Sequence, residues 1–502
     1  MLAAVRSATL VGVEGQPVTV EVHVSPGLPA YSVVGLPDAA VRESRERVRA
    51  AVLSSGLAFP MRRITVNLAP GGVRKSGSGL ELAVALGLLA AADELPAGVL
   101  DGIAVFGELG LDGSVRPIPG TLALVDALAR LDIGIDSIVV PLANAAEASL
   151  VRGVRVRAAR TLSELRACLK GEEEWPSWSD LVAPPVDDVT DDELVDLRDV
   201  RGLAFARRAL EVAAAGAHHL LFVGPPGTGK TMLARRLPTV VAPLEHSEAL
   251  EVTRIHSAAG ESVHGRLLTS RPFRAPHHTA STAALVGGGS GRPRPGEVTL
   301  AHRGVLFLDE LGEFAPTALD ALRQPLEERA VRISRQHSSL SFPASFQLVA
   351  CTNPCPCGLG HPNCRCSEAQ RARYRRRLSA PFLDRFDLRV RVTAPEPGDG
   401  PGESSASVAD RVRVAAARQR ARYADWPWAQ NAHVPAGAVD RLLRLDPDAE
   451  HTWRGLIEGR VLTGRGAVRI RRVARTLADL DDAHEITPTH LESAALLRSD
   501  VP

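Results

Sequence analysis

Apolar and polar residues alternate in two stretches of the amino-terminal part of the chain, residues 18–24 and 64–68. Strict alternation is typical of β-strands with one buried face. Residues 38–53 and 80–92 instead carry apolar positions at helical spacing. The pattern therefore predicts an α+β domain over residues 1–170.

The pattern changes after residue 200, where apolar runs end in polar residues and alternate with helical segments. The clearest runs are 220–223, 304–308 and 346–352. This arrangement indicates a parallel α/β sheet, which we expect over residues 200–394. Residues 411–502 are mostly helical in pattern and rich in arginine.

Two stretches have compositions that cannot bury a core, and we interpret them as linkers. Residues 171–199 contain eleven acidic residues and three prolines, and residues 395–410 begin with a run of proline, glycine and acidic residues. The chain of 502 residues thus divides into an amino-terminal domain, a central module and a carboxy-terminal helical domain.

Composition excludes several classes of protein. The net charge of +1 removes the global basic signal of a nucleic-acid coating protein. No apolar run approaches the roughly 20 residues of a membrane span, and four of the six cysteines crowd into residues 355–366 rather than forming a disulfide framework. We therefore expect a cytoplasmic protein that is not in a membrane.

Residues 224–231 read Gly-x4-Gly-Lys-Thr and join an apolar strand to a helix-like segment at 232–237. Loops of this kind wrap backbone N–H groups around nucleotide phosphates, the lysine reaches the outer phosphates and the threonine hydroxyl binds Mg²⁺. The lysine is one of only three, against 56 arginines. The pattern predicts binding of ATP with Mg²⁺ by Gly224, Pro225, Pro226, Gly227, Thr228, Gly229, Lys230 and Thr231.

Polar residues end the next two apolar runs. Asp309 is placed to hold Mg²⁺, and Glu310 to polarise an attacking water. Asn353 is placed to orient that water or to contact the γ-phosphate, although a strand-end asparagine can equally begin the turn into Pro354. Together with the loop, these residues favour ATP hydrolysis over nucleotide binding alone.

Five longer runs, residues 274–281, 295–302, 322–327, 353–358 and 473–480, resemble the magnesium-chelatase-like AAA+ ATPases of the YifB/ComM family. The resemblance covers almost the whole chain. It implies an AAA+ parallel-sheet P-loop module with a carboxy-terminal helical lid. Residues 35–38, 42–49 and 102–120 are similar to the ribosomal S5 domain 2-like fold shared with Lon proteases.

The resemblance also implies roles. Residues 224–231 would be Walker A, Asp309 and Glu310 Walker B, and Asn353 sensor 1. Arg385 matches an arginine finger that acts on a neighbouring subunit, which implies a homo-hexameric ring. Arg465 best fits sensor 2, with Arg469 as its rival. Leu203 departs from the glutamine usual near the adenine.

Two further groups of residues, a pair of serines and a cluster of cysteines, suggest chemistry. Ser76 and Ser78 invite comparison with the Lon serine, but Thr121 to Ala123 stand where the active proteases place the lysine base, so we expect no peptidase. Four thiolates predict a structural zinc site, with reduced loop cysteines as the alternative. Its ligands would be Cys355, Cys357, Cys364 and Cys366.

Two basic segments are candidates for nucleic-acid contact. Residues 371–377 hold five arginines with Tyr374 among them, which suits phosphate neutralisation and base stacking, or else forms a solvated face. The resemblance places residues 328–337 on a pore hairpin, with Arg332, Arg335 and His337 facing the pore.

The sequence thus indicates a hexameric ATPase that moves along DNA. The resemblance points to helicase and branch-migration work on recombination intermediates, including those of natural transformation. The alternative is a chelatase-type motor that remodels a protein partner for metal insertion. An ATP-dependent protease is disfavoured by the missing lysine.

Overall fold

A computed structural model describes residues 1–131, 134–179, 195–261, 263–289, 293–335, 338–394, 396, 398–458 and 463–498. The chain forms two compact units. The described residues of Met1–Val186 and His246–Leu268 belong to the first, together with those of Gln336–Leu340. The second contains those of Asp187–Glu245, Thr269–Arg335 and Ser341–Pro502.

The first unit is built on a seven-stranded mixed sheet with the order β3-β4-β2-β1-β5-β8-β9. In β4 every second residue is buried, as the alternating pattern predicted. A short hairpin of β6 and β7 lies beside the sheet. The strands are β1 Leu2–Val11, β2 Glu14–Ser25, β3 Ala30–Val34, β4 Arg63–Ala69, β5 Ile103–Val105, β6 Glu108–Leu109, β7 Val115–Arg116, β8 Ser137–Pro141 and β9 Arg155–Ala159.

Helices cover this sheet. Asp38 caps the first helix through a 2.9 Å hydrogen bond from the N–H of Val41, and nearly every residue of the second helix is buried. The helices of the first unit are α1 Ala39–Ser54, α2 Glu81–Ala91, α3 Thr121–Ala129, α4 Ala145–Ala148, α5 Leu162–Lys170 and α8 His246–Ala259. The α+β prediction for this part of the chain is confirmed.

The segment His246–Leu268 lies within the range predicted for the ATPase module, yet it groups with the first unit. Arg254 of α8 forms 3.0 Å ion pairs with Asp126 and Glu14, and α8 packs on α3. An amphipathic pattern predicts a helix but not its partner, which explains why the sequence missed this grouping.

The second unit contains a five-stranded parallel sheet with the order β11-β12-β15-β10-β16. Every residue of its three central strands is buried. The carboxyl ends of these strands meet at one edge, so the residues that follow them lie close together. The strands are β10 Leu220–Val223, β11 Phe273–Arg274, β12 Val305–Leu308, β15 Gln347–Thr352 and β16 Leu388–Arg391, and β13 Ala330–Arg335 with β14 Ser338–Pro343 form a separate two-stranded sheet.

Helices surround this sheet and continue to the carboxyl terminus. They are α6 Ala204–Gly216, α7 Lys230–Ala234, α9 Thr282–Val286, α10 Glu297–Leu300, α11 Pro316–Ala321, α12 Arg323–Glu328, α13 Glu368–Arg377, α14 Ala380–Leu383, α15 Ser405–Arg422, α16 Val439–Leu442, α17 Pro447–Glu458, α18 Gly464–Leu480 and α19 Pro488–Leu496. The predicted α/β class and the helical carboxy-terminal region are confirmed.

Two local expectations differ from the structure. The helix expected at residues 232–237 begins earlier, at Lys230, because the loop feeds directly into it. The predicted linker 395–410 overlaps α15, whose first turn is capped by Ser404. Much of the predicted linker 171–199 lies outside the described residues, and the other predicted domain boundaries stay predictions.

Candidate functional site

The loop after β10 is shaped by its glycines. A side chain at Gly224 would bring a Cβ within 2.1 Å of the Val392 carbonyl oxygen, so only glycine fits there. Gly227 and Gly229 have φ values of 76° and 86°, a conformation that other residues rarely adopt. The loop then enters α7 at Lys230. These residues form the kind of backbone cradle that binds phosphate.

Lys230 points into this loop. Its Nζ donates hydrogen bonds to the carbonyl oxygens of Gly224 at 2.7 Å and Pro225 at 2.6 Å, and it lies 3.4 Å from Asn353 Oδ1. Burial lowers the pKa of Lys230. The ammonium is therefore held between the loop and the end of β15, which contributes Asn353.

Thr231 and Asp309 meet at the mouth of the same loop. The Thr231 hydroxyl donates a 2.9 Å hydrogen bond to Asp309 Oδ2, and Asp309 Oδ1 accepts one from the Glu310 N–H. A hydroxyl oxygen beside a carboxylate is a donor set that Mg²⁺ accepts when substrate phosphates complete its shell. The residues present therefore fit a magnesium ion.

Glu310 has its backbone in the left-handed region, with φ of 50°. Its side chain is 60% exposed, and Oε2 lies 3.5 Å from His278 Nδ1. The ring of His278 also contacts His277, with ring centroids 4.1 Å apart. The sequence provided no indication of a role for His278, which lies within the run 274–281, because only the fold brings this residue close to Glu310.

These residues surround one cavity of about 420 Å³. The structure thus brings together the predicted loop, the two carboxylates and Asn353. Its lining consists of Pro226, Gly227, Gly229, Lys230, Thr231, Met232, Asp309, Glu310, Cys351, Thr352 and Asn353.

The three predicted arginines lie elsewhere in the second unit. Arg385, Arg465 and Arg469 line a different cavity of about 400 Å³, and in the described part of the chain none of them lines the phosphate cavity. Arg385 is only 6% exposed and forms an ion pair with Glu327. One subunit therefore keeps its phosphate loop and its candidate arginines in separate cavities.

The two candidates for sensor 2 differ in their surroundings. Arg469 Nε lies 3.2 Å from Asp387 Oδ1, and its Nη1 lies 3.6 Å from Asp384 Oδ1. Arg465 is exposed, and the described residues offer it no hydrogen bond or ion pair. Arg465 thus has the freer guanidinium group of the two.

The four clustered cysteines converge on one point. Their sulfur atoms all lie within 4.8 Å of one another, with Cys355 Sγ 3.3 Å from Cys357 Sγ and 3.5 Å from Cys364 Sγ. Backbone N–H groups of Arg365 and Leu359 lower the pKa of Cys357 to about 6. Four sulfurs at these separations fit a tetrahedral zinc ion.

This cluster lies next to the phosphate loop. A Cβ added to Gly358 would approach Pro226 Cδ to 2.7 Å. Cys355 itself follows Asn353 by two residues and is buried. The cysteine loop therefore packs directly against the nucleotide cavity.

Comparisons with known proteins agree with this geometry. A family model described as magnesium chelatase, subunit ChlI, matches residues 196–399, and models described as subunit ChlI of Mg-chelatase and as the subunit ChlI C-terminal region match residues 20–144 and 402–498. YifB of Escherichia coli is 41% identical over an alignment of 503 positions that covers 99% of this chain and 97% of that protein. Competence protein ComM of Haemophilus influenzae is 40% identical over 503 residues, covering 100% of this chain and 98% of that protein.

The chain belongs to the magnesium-chelatase-like AAA+ ATPases of the YifB/ComM family. Membership in this ATPase family indicates ATP and Mg²⁺ as its ligands. Lon protease 2 of Bacillus subtilis is 29% identical over an alignment of 180 positions that covers 32% of this chain and 33% of that protein. That partial likeness supports the Lon-like fold of the amino-terminal domain.

The amino-terminal domain of this YifB/ComM member shows no serine and lysine pair among its described residues. Ser78 Oγ instead donates a hydrogen bond to Glu108. Lys75 is fully buried and donates to the Pro70 carbonyl oxygen. Thr121, which stands in the region of the protease lysine, donates its hydroxyl to the Ile118 carbonyl oxygen at 3.2 Å.

The basic segments have different surroundings. The predicted hairpin is present as β13 and β14, and Arg332 on it is exposed with Glu328 3.5 Å away. The side chain of Arg335 and the whole of His337 lie outside the described residues. Tyr374 directs its hydroxyl inward to Thr352, so the expectation that it stacks on bases is not supported.

No helix in the described part of this family member is long and apolar enough to cross a membrane.

Proposed function

We propose that this chain is the subunit of a hexameric, magnesium-dependent ATPase that moves along DNA. The observation that carries the proposal is the single cavity shared by Lys230, Thr231, Asp309, Glu310 and Asn353. ATP hydrolysis needs a phosphate cradle, a metal ligand set and a base near the γ-phosphate, and these residues supply all three. The motor works in the cytoplasm, where both ATP and DNA are available.

Each residue has an assigned role in this proposal. Residues 224–231, with Lys230 among them, bind the phosphates, and Thr231 with Asp309 would hold a magnesium ion, which would supply charge neutralisation for the phosphates. Glu310 accepts the proton of the attacking water. His278 orients the Glu310 carboxylate from 3.5 Å, and Asn353 contacts the γ-phosphate.

The separation of the arginines supports a ring. Arg385, Arg465 and Arg469 do not line the phosphate cavity of their own subunit, which is the arrangement expected of arginines that stabilise transition-state charge on a neighbouring one. A closed ring provides every subunit with such a neighbour. We assign Arg385 as the finger and Arg465 as sensor 2, since Arg469 is held by Asp384 and Asp387.

Two observations support DNA as the polymer along which the motor moves. One relative in the family bears the name competence protein, and the second unit exposes basic segments on α13 and on the β13–β14 hairpin. We propose that the motor acts as a helicase and drives branch migration of recombination intermediates, including those of natural transformation.

We also propose that Cys355, Cys357, Cys364 and Cys366 hold a structural zinc ion. The ion would crosslink a loop that is otherwise without regular structure beside Pro226. The convergence of four sulfurs within 4.8 Å supports this assignment.

The second candidate is a chelatase-type motor that remodels a protein partner for metal insertion. It is favoured by the three family models, all described as parts of a magnesium chelatase subunit. One of those models matches residues 20–144, so the amino-terminal domain does not discriminate between the two functions.

The test compares ATPase rates with single-stranded, forked and four-way-junction DNA, together with unwinding of each substrate. The control is Lys230→Ala, which should abolish ATP turnover in every sample. We expect stimulation and unwinding by at least one substrate. An ATPase that no DNA stimulates or binds, but that supports magnesium insertion when mixed with chelatase partner subunits, would establish the second candidate instead.

A further inference from the structure

The basic helix α13, Glu368–Arg377, follows the cysteine cluster in the chain and contacts the end of β15 beside the nucleotide cavity. It begins two residues after Cys366 and is started by a capping box between Ser367 and Gln370, with hydrogen bonds of 3.2 Å and 2.9 Å. None of its residues is fully buried. The helix therefore owes its position to a few specific contacts rather than to a broad apolar face.

Four arginines on this helix are directed away from the protein. Arg371, Arg373, Arg375 and Arg376 are exposed, and within the described residues none of them has an ion pair or hydrogen bond through its side chain. Elsewhere on the second unit, exposed arginines such as Arg413 and Arg454 are paired with carboxylates. The outer face of α13 is thus a strip of uncompensated positive charge.

The opposite face of α13 carries Tyr374 and Arg377, which are three residues apart and so share one side of the helix. The Tyr374 hydroxyl lies 3.0 Å from Thr352 Oγ1 and donates to the Asn353 carbonyl oxygen at 3.2 Å. These contacts tie the helix to the end of β15, from which the Asn353 side chain reaches the cavity.

Arg377 makes the second connection. Its Nη1 donates to the Gly312 carbonyl oxygen at 2.9 Å and to Glu313 Oε2 at 3.1 Å. The Tyr374 ring covers the same turn, because a Cβ on Gly312 would lie 2.5 Å from the ring. This turn begins directly after Glu310. One short helix is therefore bonded to both strand ends that carry the hydrolytic residues.

We propose that α13 is a nucleic-acid contact that controls ATP hydrolysis, with Tyr374 and Arg377 as positioning residues for Asn353 and Glu310. The outer arginines bind backbone phosphates. The inner pair transmits any displacement of the helix to the hydrolytic strand ends. This inference rests on the proposed DNA-dependent ATPase and specifies its surface and its coupling element.

The charge spacing favours nucleic acid over an acidic protein. Residues 371 to 376 span about 7.5 Å along a helix axis. Double-stranded DNA carries about one charge per 1.7 Å, so it offers roughly four phosphates over that length. Four arginines without carboxylate partners match that density, and a folded acidic surface seldom presents charge so regularly.

The experiment uses the full chain with five variants, one of which combines Tyr374→Phe with Thr352→Val. Binding of a labelled 40-base-pair duplex is followed by fluorescence anisotropy at two salt concentrations, and ATPase is measured with and without saturating DNA. Arg371→Gln/Arg375→Gln tests the surface, Tyr374→Phe and Thr352→Val test the coupling, and Arg413→Gln on α15 is the matched control. Thermal unfolding of each variant checks the fold.

The surface variant should bind DNA at least tenfold more weakly, with a salt dependence shallower by about 1.8 in log–log slope. The DNA affinity of Tyr374→Phe should lie within twofold of wild type, while the stimulation of its ATPase activity by saturating DNA should fall at least fivefold. Thr352→Val should lower the stimulation in the same direction, and the combined variant should lose less than the sum of the two single losses, because both changes remove the contact between the two hydroxyls. Arg413→Gln should match wild type.

The outcomes separate this inference from the proposed function. Wild-type protein that neither binds DNA nor responds to it removes the proposed function and this inference with it. A stimulated wild type with unchanged stimulation in Tyr374→Phe overturns the coupling alone. Unchanged affinity in the surface variant, or equally tight binding of poly-glutamate, overturns the nucleic-acid surface.

Discussion

Removing the carboxylate of Glu327 should destabilise the isolated subunit and favour the assembled one. Arg385 is 6% exposed, and Glu327, its ion-pair partner, is 54% exposed. Arg465 and Arg469 repel its charge, and burial lowers the pKa of Arg385. Glu327→Gln would leave this nearly buried cation without an anionic partner.

The magnitude follows from the exposures. Removing one partner of a fully buried pair costs about 3–5 kcal/mol, and exposed pairs contribute about 0–1 kcal/mol. Because Glu327 is half in solvent, we expect about 1–2 kcal/mol. That loss should lower the unfolding temperature of the second unit by about 2–6 °C in a calorimetric scan.

The adjacent residue provides a matched control. Glu328 is 42% exposed and lies 3.5 Å from Arg332, whose side chain is 64% exposed. Glu328→Gln removes the same charge from the same helix and should change stability by less than about 0.5 kcal/mol. If both variants shift the unfolding temperature equally, the reasoning about Arg385 is wrong.

The same variant has a second readout. If Arg385 must leave Glu327 to reach a neighbouring nucleotide, assembly has to break their ion pair. A variant without that pair stabilises its isolated subunit less, by about 1 kcal/mol, and should therefore assemble about fivefold more favourably. Sedimentation with a non-hydrolysable ATP analogue would show rings at lower protein concentration for Glu327→Gln than for Glu328→Gln. Unchanged assembly would refute the exchange of partners.

Three other predictions test the remaining assignments. Glu310→Gln should bind ATP normally and slow turnover about 10²- to 10⁴-fold, with Glu328→Gln as the charge control; normal turnover would remove Glu310 from its role. Cys355→Ser should lower zinc from about one ion per chain, measured by mass spectrometry, whereas Cys168→Ser, at a buried cysteine outside the cluster, should not; a wild type without zinc would favour reduced thiols. Burial lowers the pKa of His219 to about 4, and its Nδ1 accepts a 3.0 Å hydrogen bond from Leu348. Because that folded-state pKa lies below the unfolded value, stability should be lost as pH falls from about 6.5 to 4, by about 1 kcal/mol for this partly exposed ring, and a urea titration of His219→Asn should show a weaker pH dependence.

The sequence could predict the candidate site largely because its parts are local. A glycine-rich loop after an apolar strand, and a pair of carboxylates after another, are continuous in the chain, and parallel strands bring their ends together. The cysteine cluster was also visible, since all four residues fall within twelve positions.

What the sequence could not show depends on tertiary contacts. His278 reaches Glu310 from a segment more than thirty residues earlier. Tyr374 sits among arginines in the sequence, yet helical geometry turns it away from them and toward Thr352. Likewise, nothing in the pattern of α8 indicates that it packs with the first unit.

The left-handed backbone of Glu310 has an evolutionary consequence. A glutamate in that conformation costs the fold about 1 kcal/mol relative to glycine, and asparagine also tolerates it better. Drift toward greater stability would therefore replace Glu310, and the role we propose for its carboxylate is what would oppose that drift. A descendant that still bound ATP but no longer needed hydrolysis should be found with glycine or asparagine at position 310, while its phosphate loop remains intact.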